Sequence, residues 1–248
     1  MFKKILSIFI GAFFIFNLTF TFNISAYCKE KKREDYLKNN FIICIDPGHQ
    51  GKGDPRCEAV SPNSNNMKPR VSSGTAGVVT KNPEHVINLE AALILKDLLI
   101  KNGYTVIMTR ESADVNISNI ERAQIANNAN ADFYISIHQN ASTTASANGV
   151  EAYYSSVKPD SLNDITYKLN TSKAVAASIS SGIASALSMT NRGTKDDEFM
   201  VVKYTNMPAV LVECGFISNE SDAKKISNAT NQKKIASVIA DSIHNALK

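Results

Sequence analysis

The sequence predicts a single α/β domain in which a twisted, mostly parallel sheet carries helices on both faces. The chain has 248 residues, of which 44% are hydrophobic and 20% are charged, as is typical of a soluble globular protein. Short apolar runs bounded by Gly, Pro or Asn alternate with amphipathic stretches of helical length. This alternation is typical of βαβ units, and because no internal repeat is visible we assign residues 40–248 to one domain.

The N-terminal segment predicts export and is kept apart from the fold. Lys3 and Lys4 precede an apolar stretch over residues 5–22, as in a secretory signal. The stretch is also long enough for an uncleaved membrane anchor. We therefore interpret residues 1–26 as a signal peptide or anchor and residues 27–39 as a linker, and we expect the domain to act outside the cytoplasm.

The charge and the cysteines exclude several kinds of partner and site. The formal net charge is only +4 and there is no long basic block, so nucleic acid is not an expected partner. Contact with a membrane is expected only through the N-terminal segment. Of the four cysteines, Cys44 and Cys214 lie inside apolar runs and no CxxC pair exists, which predicts buried or free thiols.

The first half of the domain predicts two strands and two helices around a long loop. The apolar run 41–45 predicts a buried strand, and the polar, Gly- and Pro-rich residues 46–82 predict a functional or mobile loop. Asn82, Pro83 and Glu84 have the pattern of a helix start, so a helix is expected from there to about Lys101. A strand over 104–109 and a helix over 118–129 follow, the helix opened by a capping box of Ser118 and Glu121.

The second half continues the alternation of strands and helices. Strands are predicted over 132–137, 149–154, 199–202 and 209–214, and helices over 172–189, 221–226 and 232–247.

Four residues with catalytic or ligating side chains lie where strands end or a helix begins. His49, His138 and Glu213 come at the ends of predicted strands, and Glu84 opens a helix. Ligands of open α/β sheets bind beyond the carboxyl ends of the strands. Two imidazoles and a carboxylate suit Zn²⁺ with an open fourth position, where a bound water becomes nucleophilic near neutral pH. A further carboxylate would then serve as the general base.

The spacing alone leaves structural roles open for each of these residues. A histidine after a strand often has no ligand, and Glu84 could simply stabilise the helix dipole. Glu213 is harder to explain in this way, because a carboxylate inside an apolar strand is costly to bury without a partner or a function.

Four segments, in this order, resemble the zinc-dependent N-acetylmuramoyl-L-alanine amidases of the third amidase family. They are Ile45-Asp-Pro-Gly-His-Gln-Gly51, Glu84-His-Val-Ile-Asn-Leu89, Ala131-Asp-Phe-Tyr-Ile-Ser-Ile-His-Gln-Asn-Ala141 and Pro208-Ala-Val-Leu-Val-Glu-Cys-Gly-Phe-Ile-Ser-Asn219. The resemblance covers residues 40–248 and implies a twisted mixed sheet flanked by helices.

The resemblance also implies the activity and the residues that perform it. His49, Glu84 and His138 match the ligands of one Zn²⁺ per chain, and Glu213 matches the catalytic glutamate. The reaction implied is hydrolysis of the amide bond between N-acetylmuramic acid and L-alanine in peptidoglycan. Asn140 is expected to help bind substrate, and Arg122 matches a family arginine that either binds substrate or supports the fold.

The chain departs from the family pattern in two places, and its organisation suggests a subgroup. Gln139 replaces a smaller residue, and the loop over residues 50–80 is longer than in many members, which bears on how substrate fits. A single domain behind an export signal resembles the germination-specific amidases of spore formers, which process cortex peptidoglycan towards muramic-δ-lactam. An activating partner protein is compatible with this interpretation.

Two other classes of function remain open at this point. One is a non-catalytic peptidoglycan-binding relative that has kept the fold. The other is a thiol hydrolase in which Cys214 acts with His138.

Overall fold

A computed structural model describes residues 41–60 and 65–248, so the predicted signal or anchor and linker lie outside the described residues. The strands are β1 (Ile42–Pro47), β2 (Asp54–Ala59), β3 (Met67–Val71), β4 (Thr105–Met108), β5 (Phe133–Asn140), β6 (Val150–Tyr154), β7 (Asn191–Asp196) and β8 (Ala209–Phe216). The helices are α1 (Glu84–Lys101), α2 (Asn119–Asn128), α3 (Thr166–Leu187), α4 (Met200–Lys203), α5 (Glu220–Ile226) and α6 (Ala229–Ala246).

Six strands form one mixed sheet in the order β4-β1-β5-β8-β6-β7. The first four run parallel, β6 is antiparallel to β8, and β7 is parallel to β6. The predicted α/β class with a mostly parallel, mixed sheet is therefore confirmed. The carboxyl ends of β1, β5 and β8 meet at one edge, and the segments that carry the candidate residues leave the sheet there.

Alternation along the central strands builds two apolar layers, one on each face of the sheet. One face presents Ile135, Val212 and Cys214 to a large core that includes side chains of α1, α3 and α6. The other presents Tyr134 and Leu211 to a smaller core formed with α2 and α4. His138 and Glu213 continue the period-2 alternation onto this second face, at the open end of the smaller core.

Two of the predicted helix starts are confirmed closely, whereas α3 begins at Thr166, six residues before the predicted start. The helix from Glu84 to Lys101 is confirmed, although Pro83 rather than Asn82 occupies the N-cap position. The capping box of Ser118 and Glu121 is also confirmed, since each side chain accepts a hydrogen bond from the other residue's backbone N–H.

Two predicted elements are wrong, and three observed strands, β2, β3 and β7, were not predicted. Residues 199–202 were expected to form a strand, but Met200–Lys203 is a short helix that buries three successive apolar residues against the second face. The ammonium group of Lys168 accounts for its end, because it donates to the backbone oxygens of Val202 and Thr205. The predicted loop 46–82 contains the antiparallel hairpin β2–β3, and the unpredicted β7 is a polar, mostly exposed edge strand.

The described cysteines are free thiols, as predicted. Cys44 and Cys214 are buried and Cys57 is exposed, whereas Cys28 lies outside the described residues. Among the helices in the described part of the chain, none is both long and apolar enough to cross a membrane.

Candidate metal centre and catalytic cleft

His49, Glu84 and His138 converge at the carboxyl edge of the sheet. Glu84 Oε1 lies 3.1 Å from His49 Nε2 and 3.3 Å from His138 Nδ1, and the two ring nitrogens are 3.2 Å apart. One potential ligand atom from each residue falls within 4.8 Å of the others. Within residues 41–60 and 65–248, this is the group of side chains placed closely enough to hold a metal ion.

The far side of the His49 ring is held by the segment that follows the hairpin. Nδ1 of His49 lies 3.1 Å from the carbonyl oxygen of Ser72 and 2.9 Å from its hydroxyl. When Nδ1–H donates to the carbonyl, the lone pair on Nε2 is left facing Glu84 and His138. Hydrogen bonds of this kind fix the tautomer and the ring orientation of metal-ligating histidines.

Glu84 is buried, and its carboxylate is oriented by backbone donors. Oε2 accepts from the N–H of Thr75, and Oε1 accepts from the N–H of Gln139. Burial alone would raise the pKa of Glu84, but its contacts with His138 and His49 outweigh burial and hold the pKa well below its usual value. The carboxylate is therefore ionised, as metal binding requires.

The ring of His138 packs against Gly48, whose lack of a side chain leaves room for it. A Cβ atom on Gly48 would lie 2.1 Å from Nε2 of His138, so any side chain at position 48 would displace the ring. Burial is the largest influence on the pKa of His138 and lowers it, despite the opposing effect of Glu84. The imidazole is thus neutral, which is the form that coordinates metal.

A buried charge pair fixes the turn that carries His49. Asp46 and Arg122 are fully buried, and Asp46 Oδ1 accepts from Arg122 Nη1 at 2.7 Å. Burial by itself would raise the pKa of Asp46, but Arg122 and hydrogen bonds from Thr109 and Ser136 keep it well below its usual value. Arg122 also donates to the carbonyl oxygen of His49.

Of the two roles expected for Arg122, this placement favours support of the fold. Its side chain is 1% exposed, and its terminal nitrogens donate to Asp46 and to the carbonyl oxygens of Pro47 and His49, whereas Nε is buried without a partner among the described residues. Arg122 is thus a positioning residue for His49. Sequence reasoning missed Arg110, which supports the same turn through the carbonyl oxygens of Pro47 and Gly48.

Glu213 lies beside the ligand cluster and has an unpaired oxygen. Its backbone is the register partner of His138, so both side chains leave the same face of the sheet. Glu213 Oε2 is buried and accepts no hydrogen bond from the described residues. Burial is the main reason that the pKa of Glu213 is raised well above its usual value, and the negative charges of Glu84 and Glu151 raise it further.

Glu213 and His138 open into a cleft of about 290 Å³. His49 and Ser72 border the cleft on the side of the hairpin segment, and its opposite wall is apolar. The apolar wall is formed by Phe199, Met200, Val201 and Leu211. The cleft therefore joins a polar, metal-competent end to a surface suited to the less polar parts of a substrate.

Asn140, the other predicted substrate residue, is not among the residues that line this cleft. It is partly exposed and its Nδ2 donates to Oε2 of Glu151 at 3.4 Å. Glu151 was not singled out from the sequence, although a glutamate following Gly149 and Val150 in an otherwise apolar strand is the same kind of signal that identified Glu213.

The placement of Cys214 contradicts the thiol-hydrolase alternative. Cys214 is fully buried in the larger core, on the face opposite to His138 and Glu213. Burial raises the pKa of its thiol far above the usual value, so no thiolate is available near neutral pH. A Cys214–His138 pair is excluded by this geometry.

Comparison with known proteins identifies the family. Residues 43–245 match the N-acetylmuramoyl-L-alanine amidase family of the Amidase_3 type. The chain belongs to this family. It is 35% identical over 213 residues to the N-acetylmuramoyl-L-alanine amidase LytC of Bacillus subtilis, a match that covers 85% of this chain and 37% of LytC. The chain therefore spans little more than a third of that relative.

Solved structures of amidases share the fold of this family member along most of its length. An N-acetylmuramoyl-L-alanine amidase from Clostridium difficile 630 is 31% identical, with a TM-score of 0.65 and coverage of 83% of this chain and 95% of the other. The CwlD amidase of Clostridioides difficile, solved in complex with the GerS lipoprotein, is 27% identical, with a TM-score of 0.61 and coverage of 84% and 98%.

Proposed function

We propose that this amidase-family protein is a zinc-dependent enzyme that hydrolyses the amide bond between N-acetylmuramic acid and L-alanine in peptidoglycan. The observation that carries the proposal is the convergence of His49, Glu84 and His138 beside Glu213, whose free oxygen lies at the same end of the cleft. Family membership supports the same reaction.

The donor set of His49, Glu84 and His138 is chemically suitable for Zn²⁺. Two imidazole nitrogens and one carboxylate are a common set of protein ligands in catalytic zinc sites, which keep a further position open. His49 and Glu84 are each held by a second hydrogen bond, as expected of ligands that must keep their orientation. When bound, the ion would act as a Lewis acid towards the substrate carbonyl and activate water.

Glu213 performs the proton transfers in this proposal. As general base it takes a proton from the attacking water at its free Oε2, and it then donates that proton to the departing amine of L-alanine. Burial and neighbouring carboxylates raise its pKa, which favours a group that must both accept and release a proton. Glu213 lines the cleft and so borders the space open to substrate, whereas Asp46 and Arg122 keep the turn that carries His49 in place.

Incubation of the purified protein with a defined muramoyl tripeptide tests the proposal. We expect release of free N-acetylmuramic acid and the intact peptide, loss of activity on chelation, and recovery on addition of zinc. The non-catalytic alternative predicts retention of the substrate on the protein without cleavage. Cleavage that survives complete removal of metal would contradict the zinc assignment.

The finer biological role that we propose is processing of spore-cortex peptidoglycan by an exported protein. The support is the alignment with nearly the whole CwlD chain and the signal or anchor pattern in residues 1–26. A partner that activates the enzyme is compatible with this role, since CwlD was solved with a lipoprotein. Deletion of the gene in a spore-forming host should remove muramic-δ-lactam from the cortex, and normal lactam content would contradict the role.

A further inference from the structure

A second charged cluster lies beside Glu213, at the start of β6 and β7. Glu151 is the antiparallel register partner of Glu213, so the two carboxylates leave the same face of the sheet on neighbouring strands. Glu151 is 1% exposed and forms ion pairs with Arg192 and, at 2.8 Å, with Lys195. The hydroxyl of Tyr153 donates to it as well.

The two cations reach one carboxylate because β7 contains an irregularity. Residues 192 and 195 would point to opposite faces of a regular strand, since side chains alternate with a period of two. The register with β6 shifts between the pairs Val150–Asn191 and Ala152–Thr194, which places one extra residue in β7. Gly193 lies within this bulge with φ of 79°. The bulge brings Arg192 and Lys195 to the same face, and bulges next to active sites often redirect side chains in this way.

The positive charge of the cluster exceeds the negative charge of Glu151. Arg192 and Lys195 together bring two positive charges to a single carboxylate, and their side chains remain 38% and 44% exposed. Arg192 uses Nε for Glu151, and neither terminal nitrogen of its guanidinium has a hydrogen-bond partner among residues 41–60 and 65–248. Nearby acids of the next segment have other contacts: Asp196 accepts from the N–H of Ser156 and Glu198 pairs with Lys203.

We infer that Arg192 and Lys195 form a subsite for the free α-carboxylate of the second stem-peptide residue, γ-linked D-glutamate. The inference rests on the proposed function, because it assumes that Glu213 acts at the amide bond before L-alanine. Glu151 is then a positioning residue that holds the charged ends of both cations on the strand next to that of Glu213.

The dimensions of the substrate agree with this assignment. The path from the scissile nitrogen to the α-carboxylate carbon of D-glutamate crosses the whole L-alanine residue and then the N–Cα and Cα–C bonds of D-glutamate. In an extended chain this is about 6 Å. Adjacent strands lie about 4.8 Å apart. Arg192 and Lys195 belong to β7, two strands from β8, but their side chains reach back to Glu151 on the intervening strand, so their charged ends lie about one strand spacing from the strand of Glu213. Arginine suits this role because its planar donors match a carboxylate.

Two substrates that differ in one group test the subsite. We compare N-acetylmuramoyl-L-alanyl-γ-D-glutamyl-L-lysine with the same compound carrying an α-carboxamide on D-glutamate. The wild-type protein should show a kcat/KM at least about tenfold higher for the free carboxylate, since a charged hydrogen bond replaces a neutral one. Equal kcat/KM values would overturn the inference. Cleavage of neither compound would instead contradict the proposed function.

Substitutions of Arg192 and Lys195 test whether these two side chains cause the preference for the free carboxylate. In Arg192→Gln/Lys195→Gln the ratio should fall below about threefold, with the loss appearing in KM for the free carboxylate. Lys96→Gln is the matched control, because Lys96 pairs with Glu111 away from the cleft, and it should keep the wild-type ratio. If the double variant does not fold, Arg192→Gln still leaves Lys195 to pair with Glu151 and should lower the ratio. An unchanged ratio in a folded variant would overturn the assignment.

Discussion

His138 and Glu213 are register partners on the neighbouring parallel strands β5 and β8, with their side chains on the same face of the sheet. Strand pairing alone therefore places a proposed metal ligand next to the proposed base, without any contribution from a loop. His49 and Glu84 complete the cluster from a turn and a helix start. This arrangement separates the role of metal binding from the role of proton transfer, and the two can be tested independently.

Glu84 and Glu90 lie on the same helix but should differ in metal binding. Glu84 faces the two histidines, whereas Glu90 is exposed and its Oε2 accepts from the side chain of Gln232. Glu84→Gln should bind zinc at least about tenfold more weakly, because even substitution of residues that only orient the metal ligands typically weakens metal binding by this much. Glu90→Gln should keep one zinc per chain in metal analysis. The opposite pattern would mean that another acid holds the metal.

Replacement of Glu213 by glutamine should slow catalysis without removing the metal. The amide keeps the shape of the side chain but cannot accept a proton from water, and general-base catalysis typically contributes about 10²–10⁴-fold. Glu213→Gln should therefore hold a full complement of zinc and cleave the muramoyl tripeptide at least about a hundredfold more slowly. His138→Ala should lose zinc and activity together. Loss of zinc in Glu213→Gln would make Glu213 a ligand instead.

A methyl group at position 48 should disturb the centre through His138. The Cβ of Gly48→Ala would lie 2.1 Å from the ring, so the ring must move out of the ligand position. We expect zinc affinity to fall at least about tenfold, measured by titration with a competing chelator. Gly51→Ala is the control, since its Cβ would come no closer than 3.1 Å to the carbonyl oxygen of Ala113. Equal zinc affinities for both variants would contradict the steric explanation.

Asp46 should contribute stability that depends on pH. Its pKa in the folded protein is lowered below the ordinary value of 3.8, so this stability is present above about pH 4 and is lost as the pH falls towards the folded pKa. Asp46→Asn leaves Arg122 without its charged partner and should lower the free energy of unfolding by about 3–5 kcal/mol at pH 7.

Urea denaturation at pH 7 and at pH 3 measures this contribution. The difference in unfolding free energy between wild type and Asp46→Asn should shrink at the lower pH. At pH 3 the carboxyl of Asp46 takes up a proton in the unfolded chain but stays ionised in the folded one, and this stabilises the unfolded wild-type chain. Asp97→Asn, an exposed acid on α1, should change stability by less than about 0.5 kcal/mol. A difference that is constant with pH would show that Asp46 acts by shape alone.

The sequence predicts the buried strands and the capped helices well, because their signals are local. The apolar runs of β1, β5 and β8 and the capping box at Ser118 depend on neighbouring residues alone. The short helix Met200–Lys203 was mistaken for a strand because a run of apolar residues has no distinguishing period when it is so brief. Its end is also held by a residue distant in sequence, because the ammonium group of Lys168 donates to the backbone oxygens of Val202 and Thr205.

The sequence predicts the candidate ligands and the candidate base, but not the residues that hold them in place. The candidate residues lie at strand ends and at a helix start, and those positions carry a signal. The function of Arg122, in contrast, depends on what surrounds its guanidinium after folding. The same holds for Arg192 and Lys195, which lie on a strand too polar to be recognised as one. Their shared contact with Glu151 follows from a bulge that no local pattern announces.

The three ligand side chains belong to a turn, a helix start and a strand end that are far apart along the chain and meet only at the edge of the assembled sheet. The proposed metal site is therefore complete only once the sheet has formed. An ion bound there would favour the folded chain over the unfolded one, so metal binding and folding should be coupled.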